Sequence, residues 1–428
     1  SVRWGDRKRG VLSDTRPLTQ PDFRRLWLAN IVTVIGAQLT VVAVPAQIFS
    51  LTGSSGMVGL TGVFGLVPLV VFGLWGGALA DRMDRRRLLE ATTGGLIVTT
   101  ALFWLQAFVG LGNVWVLLGL FALQQACFAV NQPTRTAILP KLLPADQLPA
   151  ANALNMTVMS FGAIVGPLVG GALIPVLGYA WLYLIDTVTL FATLYAVWRL
   201  PPLPVERADG GALGLRSVVE GLQYLSWHRV LLVSFVVDLV AMVFGMPRAL
   251  FPEAAQASFG GPPDGGMEFA LLYAAMPAGA VLGGVLGGWV SRVRLIGRAT
   301  LAMIAVWGGA VTVLGIAVAI APTAAGAMLV VAFVALAVGG AADMWSAAFR
   351  QTILLANADD SVRGRLQGVF IVVVAGGPRI ADVLHGGAAE LFGTAWTIVG
   401  GGLLVVAGIA LCSWAFPEFR RARLGDGG

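Results

Sequence analysis

The sequence predicts an all-α membrane protein with 12 transmembrane helices in two pseudo-symmetric six-helix halves. Hydrophobic residues make up 57% of the 428-residue chain and charged residues only 12%, whereas a soluble domain carries about 25% charged residues. Apolar runs recur along the whole chain, each near the roughly 20 residues that a helix needs to cross a bilayer. The runs are too long for barrel strands, and lipid tolerates no unpaired backbone, so they are predicted to be helices.

The apolar runs follow one another with short turns between most of them. In chain order they lie near 27–50, 56–80, 87–110, 114–138, 149–175, 180–199, 230–255, 268–290, 299–320, 326–354, 364–390 and 395–416. A proline-rich, charged stretch after the sixth run predicts a linker whose second part, Leu215 to Trp227, forms a helix on the membrane surface. The predicted divisions are a cytoplasmic N-terminal segment (1–26), a first half (27–199), a cytoplasmic linker (200–229), a second half (230–416) and a cytoplasmic tail (417–428).

Basic residues fall on alternate gaps between the runs. One set of gaps holds those of the N-terminal segment, the turn at 82–87, Lys141, the linker, 292–298, Arg363, Arg365 and the tail, and the opposite turns hold none. Because cytoplasmic loops are enriched in lysine and arginine, this split predicts that both termini are cytoplasmic. The same loops account for the net charge of +6, so that charge does not indicate a nucleic-acid partner.

Three segments of the first half recur in the second half in the same order. Val44-Pro45 matches Met246-Pro247, Pro68 with Gly76-Gly77 matches Pro277 with Gly287-Gly288, and Arg135 to Leu139 matches Arg350 to Leu354. The offsets are all about 200–215 residues. Parallel six-helix repeats about an axis along the membrane normal are one architecture of secondary transporters.

A motif of glycine and charged residues lies in the turn between spans two and three. It reads Gly77-Ala-Leu-Ala-Asp81-Arg82-Met-Asp84-Arg85-Arg86 and resembles the loop 2–3 signature of the major facilitator superfamily, with Asp84 where the signature has glycine. The resemblance implies the major facilitator fold and a cytoplasmic gate formed by Gly77, Asp81, Arg82, Arg85 and Arg86. Such charges can form a network that one conformation makes and another breaks, and Arg135 of span four is close enough to that face to pair with Asp81. The alternative is a basic turn that only sets the orientation.

Span five carries a second motif of glycines around a proline. Gly162, Gly166, Pro167, Gly170 and Gly171 resemble the fifth-helix signature of the superfamily's antiporters, with Ala153 in place of an upstream glycine. Glycines at every fourth position leave a smooth stripe against a partner helix, and the proline bends the helix. The resemblance implies export, and the alternative is ordinary packing of small residues.

Short matches spread over most of the chain give a more specific resemblance. They are Ala43–Gln47, Gly76–Arg82, Leu272–Pro277 and Gly364–Gly368, and with them the chain resembles the enterobactin (siderophore) exporter family. This resemblance implies a monomer in the bacterial cytoplasmic (inner) membrane that exports a siderophore or related small molecule in exchange for protons, by alternating access. The substrate does not follow from the family. A broad-specificity multidrug exporter of the same fold, and a membrane scaffold that has lost transport, are the alternatives.

Ionisable residues inside the spans form the predicted functional site, because a charge in lipid needs a partner or a wet cavity. Arg379, Asp382 and His385 recur every three residues and so share one face of span eleven. Asp238 and Asp343 lie on spans seven and ten, about 10–14 Å from the cytoplasmic end. The predicted proton-coupling residues are Asp238, Asp343, Asp382 and His385. The predicted substrate contacts are Asp238, Asp343, Asp382, Arg248, Arg379, Gln124, Gln125 and Trp345.

Structural roles are the alternatives for these residues. Arg248 could pair with Glu253 near the outer face, and Asp382 could hold His385. Asp186 on span six is expected to accept a structural hydrogen bond. Gln124 and Gln125 of span four could instead form hydrogen bonds only to neighbouring helices. Asp238, Asp343 and Asp382 could equally have structural roles.

The sequence carries no signature of an enzyme or of an ATP-driven pump. Its only lysines are Lys8 and Lys141, and neither follows a glycine as a phosphate-binding loop requires. Cys127 and Cys412 lie in separate apolar runs, which is the usual position of buried cysteines rather than of a disulfide or a zinc site. We therefore expect transport driven by an ion gradient, with no cofactor and no metal.

Overall fold

The computed structural model describes residues 14–80, 82–205 and 215–423. In this part of the chain 12 helices are long and apolar enough to cross a membrane. Asp81 of the predicted gate lies outside the described residues, as do the basic residues of 1–13. The spans, numbered one to twelve, are Pro21–Thr52, Ser55–Gly59 with Thr61–Ala80, Arg85–Phe108, Val114–Leu142, Leu148–Leu177, Tyr179–Trp198, Arg229–Phe244, Met267–Val285, Ile296–Ile320, Ala325–Asn357, Asp360–Phe392 and Thr394–Ala415.

The helices extend beyond the apolar runs that predict them. Span one begins six residues before its apolar run, at Pro21, because proline suits the first helical position and Asp22 lies favourably in the first turn. The linker contains a helix, Leu215–Trp227, where the sequence predicts one. A short helix, Pro417–Arg420, follows span twelve.

The two halves repeat one packing scheme. In the first half, span one packs on spans five and six, span two on span four, and span three on spans four and six. In the second half, span seven packs on spans eleven and twelve, span eight on span ten, and span nine on spans ten and twelve. Glycines with positive φ, Gly178 (81°) and Gly393 (82°), make the tight turns before spans six and twelve, a backbone conformation that glycine adopts without strain.

One pair of matched prolines differs between the halves. Span one runs as a continuous helix through Pro45, whereas span seven ends at Phe244, just before Pro247. The chain then continues through a 3-10 turn, Arg248–Leu250, and a π-helical turn, Ala254–Ser258. Irregular backbone at membrane depth is tolerated where it is buried in protein or lines a cavity, and here it carries Arg248.

The halves meet along two seams, span two on span eleven and span five on span eight. Glycines permit the close approach: a Cβ added at Gly59 would lie 3.0 Å from the Cα of Gly386. In the other seam the Gly266 N–H donates to the Gly171 carbonyl at 2.8 Å. We call the end of the bundle that holds Pro21 and the linker helix the terminal face, and the other end the distal face.

Polar contacts join the halves at the distal face. Glu390 accepts hydrogen bonds from the Ser54 hydroxyl at 2.5 Å and from the Gly56 N–H at 3.0 Å. Glu253 accepts one from the Ser55 hydroxyl. The start of span two is thereby held by the segment that follows span seven and by the distal end of span eleven.

Candidate functional site

The first charge cluster of the spans joins Arg248, Arg379 and Asp382. The Arg248 guanidinium donates to both oxygens of Asp382, Nε to Oδ1 at 2.9 Å and Nη2 to Oδ2 at 2.8 Å. Arg379 Nη1 lies 3.8 Å from Asp382 Oδ2. The side chain of Asp382 is 3% exposed and that of Arg248 is 34% exposed. Two cations share one carboxylate, so the cluster carries one uncompensated positive charge.

Arg379 also reaches across to the first half. Its Nη2 donates to Oε1 of Gln125 at 3.3 Å, and its guanidinium lies 5.0 Å above the ring of Phe121, both on span four. Span two passes close by, since a Cβ at Gly65 would lie 2.9 Å from Arg379 Nε. Arg379 is about 20 Å along span eleven from its distal end at Phe392, at 1.5 Å per residue. The uncompensated positive charge therefore lies near the middle of span eleven, and the Arg379 side chain contacts both halves.

The second charge cluster joins Asp238, Asp343 and Arg350. Arg350 Nη1 lies 2.5 Å from Asp238 Oδ2, and both side chains are buried, 5% and 2% exposed. Asp343 is farther from the same guanidinium, at 3.8 Å, and 32% exposed. Arg350 Nε donates to the Ser346 hydroxyl at 3.2 Å. Two carboxylates share one cation here, so this cluster carries one uncompensated negative charge when both are ionised.

Two predicted alternatives for the charged residues are wrong. Arg248 does not pair with Glu253, because the turn after span seven directs it to Asp382 and Glu253 accepts from Ser55 instead. Asp382 does not hold His385, whose ring nitrogens face the carbonyl oxygens of Ala381 at 2.9 Å and Phe244 at 3.0 Å. His385 thus contacts backbone on spans seven and eleven.

Trp345, Gln124 and Asp186 form no bond to the two clusters among the contacts that the structure describes. The Trp345 indole N–H donates to the Gly283 carbonyl at 2.8 Å, so it links spans ten and eight within the second half. Gln124 precedes Gln125 and is half-buried. Asp186 of span six is 1% exposed and accepts from the Thr40 hydroxyl at 2.5 Å, the structural bond that was expected of it.

Residues of the turn between spans two and three form hydrogen bonds to other helices of the first half. Asp84 caps span three, with Oδ1 accepting from the Arg86 N–H at 2.9 Å, a role that aspartate fills better than the glycine of the signature. Arg85 Nη1 donates to the Ala137 carbonyl at 3.2 Å, and Arg86 Nη2 to that of Trp198 at 2.8 Å.

Two further gate residues, Arg82 and Arg135, differ in exposure and contacts. Arg82 is exposed, and Arg135 Nη1 donates to Asn30 Oδ1 at 3.3 Å. The predicted pairing of Arg135 with Asp81 falls outside the described residues.

The glycines of span five form the stripe that their spacing predicts. A Cβ at Gly170 would lie 2.8 Å from Val42 Cγ2, and Gly162 and Gly166 face span one in the same way. Gly171 faces Ala270 of span eight, where an added Cβ would lie 2.6 Å from the Ala270 Cβ. Pro167 lies inside the helix. The motif therefore packs span five against both span one and the other half.

Sequence reasoning missed Arg350 as a site residue. From the sequence, this arginine is identified only as the first residue of the segment that repeats Arg135 to Leu139. The spacing in the sequence could have indicated the pair, because Asp343 and Arg350 are two helical turns apart and so lie on one face of span ten. Tyr273, whose hydroxyl donates to the Arg248 carbonyl at 3.0 Å, was missed as well.

Comparison with known proteins identifies the family. The family described as transmembrane secretion effector, a group of the major facilitator superfamily, matches residues 12–424. The chain belongs to this family. It is accordingly a multi-pass membrane transporter and not an enzyme.

Relatives and solved structures agree with this assignment. The transporter is 28% identical over 421 residues to the enterobactin exporter EntS of Shigella boydii serotype 18, covering 95% of this chain and 94% of that protein. The EntS of Escherichia coli O1:K1 is 27% identical over the same lengths.

Solved structures share the fold at low sequence identity. A bacterial homologue of the human lysosomal transporter Spinster, in an inward-facing and unoccupied conformation, superposes with a TM-score of 0.71 at 15% identity, covering 96% of this chain and 100% of that one. A point mutant of the nucleoside transporter NupG gives 0.73 at 12% identity, covering 93% of this chain and 99% of that one.

Proposed function

We propose that this transporter is a proton-coupled exporter of a small anionic molecule, of the siderophore or related metabolite class, that works by alternating access. The observation that carries the proposal is the spare positive charge of the Arg248–Asp382–Arg379 cluster. Because Arg248 donates to both oxygens of Asp382 and Arg379 lies 3.8 Å from that carboxylate, the Arg379 guanidinium can also pair with an anion. Relatives at 27–28% identity bear the name enterobactin exporter, which supports a catechol-bearing substrate.

Phe121 and Gln125 suit such a substrate. An aromatic ring beside a guanidinium can stack on a catechol ring, and an amide can bond to its hydroxyl groups. Both side chains belong to the first half, whereas Arg379 belongs to the second. A ligand held between them would therefore be sensitive to any movement of one half against the other.

The second cluster is the proposed proton site, and Asp343 is its exchanging acid. Asp238 is buried in a 2.5 Å ion pair with Arg350, while Asp343 is farther away and more exposed. When Asp343 takes up a proton, the Arg350–Asp238 pair stays electrically neutral. Both protonation states of Asp343 are therefore compatible with the fold, as a proton carrier requires.

The proposed orientation places the terminal face in the cytoplasm, in accord with the arginine and lysine distribution. The polar contacts from Glu390 and Glu253 to the start of span two join the halves at the distal face. With that orientation, they hold the outer side closed. The proposed state is then inward-facing, ready to load substrate from the cytoplasm.

Flux in proteoliposomes tests the proposed function. With an imposed pH gradient, an iron-free catecholate siderophore is expected to accumulate, and a protonophore is expected to abolish the accumulation. A lipophilic cationic dye serves as the competing substrate. Movement of the dye alone would replace the proposal by multidrug export.

Substitution of Gly62 tests alternating access. A Cβ at Gly62 would lie 2.8 Å from Val383 Cγ2 and 3.1 Å from Asp382 Cβ, so Gly62→Val is expected to part spans two and eleven. The matched control is Gly73→Val on the same helix, where an added Cβ meets nothing within 4 Å.

Spin labels at Thr52→Cys and Phe392→Cys, with Cys127 and Cys412 replaced by serine, report the distal separation. A longer distance is expected in Gly62→Val only. Equal distances in the two glycine variants would contradict a seam that closes the distal face.

A further inference from the structure

A groove on the outside of the second half lies between spans nine and twelve at the terminal face. It has a volume of about 730 Å³. Its wall is apolar and built from small side chains of both spans, including Ala302, Ala305 and Ala410, with Val406 between the helices. Four arginines surround its mouth: Arg298, Arg420, Arg421 and Arg423.

The tail is fixed in the position that completes this groove. The Gly297 N–H donates a hydrogen bond to the Ala422 carbonyl, with 3.4 Å between the nitrogen and the oxygen. Phe419 is fully buried, 0% exposed. Gly297 is needed for this packing because any Cβ there would collide with the Phe419 carbonyl. The arginines of the tail therefore lie over the start of span nine.

The charged residues that line the groove are all arginines. Glu418, the acid in the described part of the tail (417–423), pairs with Arg229 at the start of span seven, at 3.3 Å. Within residues 215–423, no ion pair is formed by Arg298, Arg420, Arg421 or Arg423, and all four are exposed. Arg298 lies in the first turn of span nine, where the helix dipole disfavours a cation. The groove thus presents an unbalanced positive charge that an anion would stabilise.

We propose that this groove binds an anionic phospholipid of the leaflet at the terminal face. The phosphate would lie among the arginines, and an acyl chain would follow the furrow over Ala302 and Ala410. The apolar wall, which opens to lipid, suits the acyl chains. The arginines lie where the helices leave the bilayer, which is the level of the phosphate headgroup. Basic pockets between transmembrane helices recognise anionic headgroups in this way. Four arginines suit the two phosphates of cardiolipin better than the single phosphate of phosphatidylglycerol.

Native mass spectrometry at a low lipid-to-protein ratio tests the proposal by measuring which lipids the protein retains. The full-length wild type is expected to retain cardiolipin most, phosphatidylglycerol less, and zwitterionic phosphatidylethanolamine least. Arg298→Gln/Arg420→Gln/Arg421→Gln is expected to weaken cardiolipin binding roughly 100-fold, since each arginine near an anionic headgroup contributes about fivefold. The matched control is Arg24→Gln/Arg87→Gln/Arg199→Gln, which removes equal charge outside the groove.

Two further arms separate the lipid from other sources of phosphate. Ala410→Phe, which fills the furrow and leaves every arginine in place, is expected to lower cardiolipin retention. Glycerol phosphate is expected not to compete with the lipid. Equal losses in the two triple variants, equal retention of phosphatidylethanolamine by the wild type, or full competition by glycerol phosphate would overturn the proposal.

Discussion

Replacing Arg379 by glutamine is expected to lower the transport of an iron-free catecholate roughly 10- to 100-fold, because a charge-assisted contact contributes about 1.5–3 kcal/mol. The variant should still fold, since Arg248 makes the two short bonds to Asp382 and keeps that carboxylate paired. Initial rates at several substrate concentrations measure the effect. A raised KM with little change in the maximal rate would show that the contact acts on binding.

Two companion variants separate the charge of Arg379 from its other contacts. Gln125→Leu removes one polar contact on span four and is expected to cost less than the loss of the charge. Arg248→Ala leaves Asp382 buried with only the 3.8 Å contact to Arg379. Losing one partner of a buried ion pair costs about 3–5 kcal/mol, so Arg248→Ala is expected to lower thermal stability, unlike Arg379→Gln. Unchanged catecholate transport in Arg379→Gln would remove the basis for an anionic substrate.

Replacing Asp343 by asparagine is expected to uncouple transport from the proton gradient. A gradient of one pH unit can sustain about a tenfold accumulation per exchanged proton, and this accumulation should disappear. Downhill exchange of labelled for unlabelled substrate should persist, because Arg350 remains paired with Asp238. Parallel measurements of gradient-driven uptake and of exchange distinguish the two processes.

Two other aspartates provide contrasts for Asp343. Asp186→Asn is the matched control. Asp186 is a buried acid of the first half that accepts a hydrogen bond from Thr40 of span one, and the variant is expected to keep coupling. Asp238→Asn removes the close partner of buried Arg350 and is expected to lower the yield of folded protein. Normal gradient-driven accumulation in Asp343→Asn would shift the proton site to another acid.

The sequence predicted the fold well because the bilayer imposes simple rules. Apolar length fixes where helices form, as in span four from Val114, and glycine spacing predicted that span five would pack closely on a neighbour. The linker that precedes the helix Leu215–Trp227 was predicted from its charged and proline-rich composition. These features depend on local sequence alone, or on periodicity along one helix.

Pairing between distant helices could not be predicted in the same way. The bond between Arg248 and Asp382 depends on the end of span seven at Phe244, whereas span one continues as a helix through the matching Pro45. The nearest candidate partners in the sequence were Arg248 for Glu253 and Asp382 for His385, but the structure gives these two side chains other contacts. Which of several charges pair inside a membrane depends on tertiary positions that hydropathy does not encode.

Proton movement during substrate transport tests the central claim most directly. Proteoliposomes that contain a pH-sensitive dye would receive iron-free catecholate on one side, with no imposed gradient. The account predicts proton movement in the direction opposite to the substrate in the wild type, and none in Asp343→Asn. Catecholate transport by the wild type without any proton movement would contradict it.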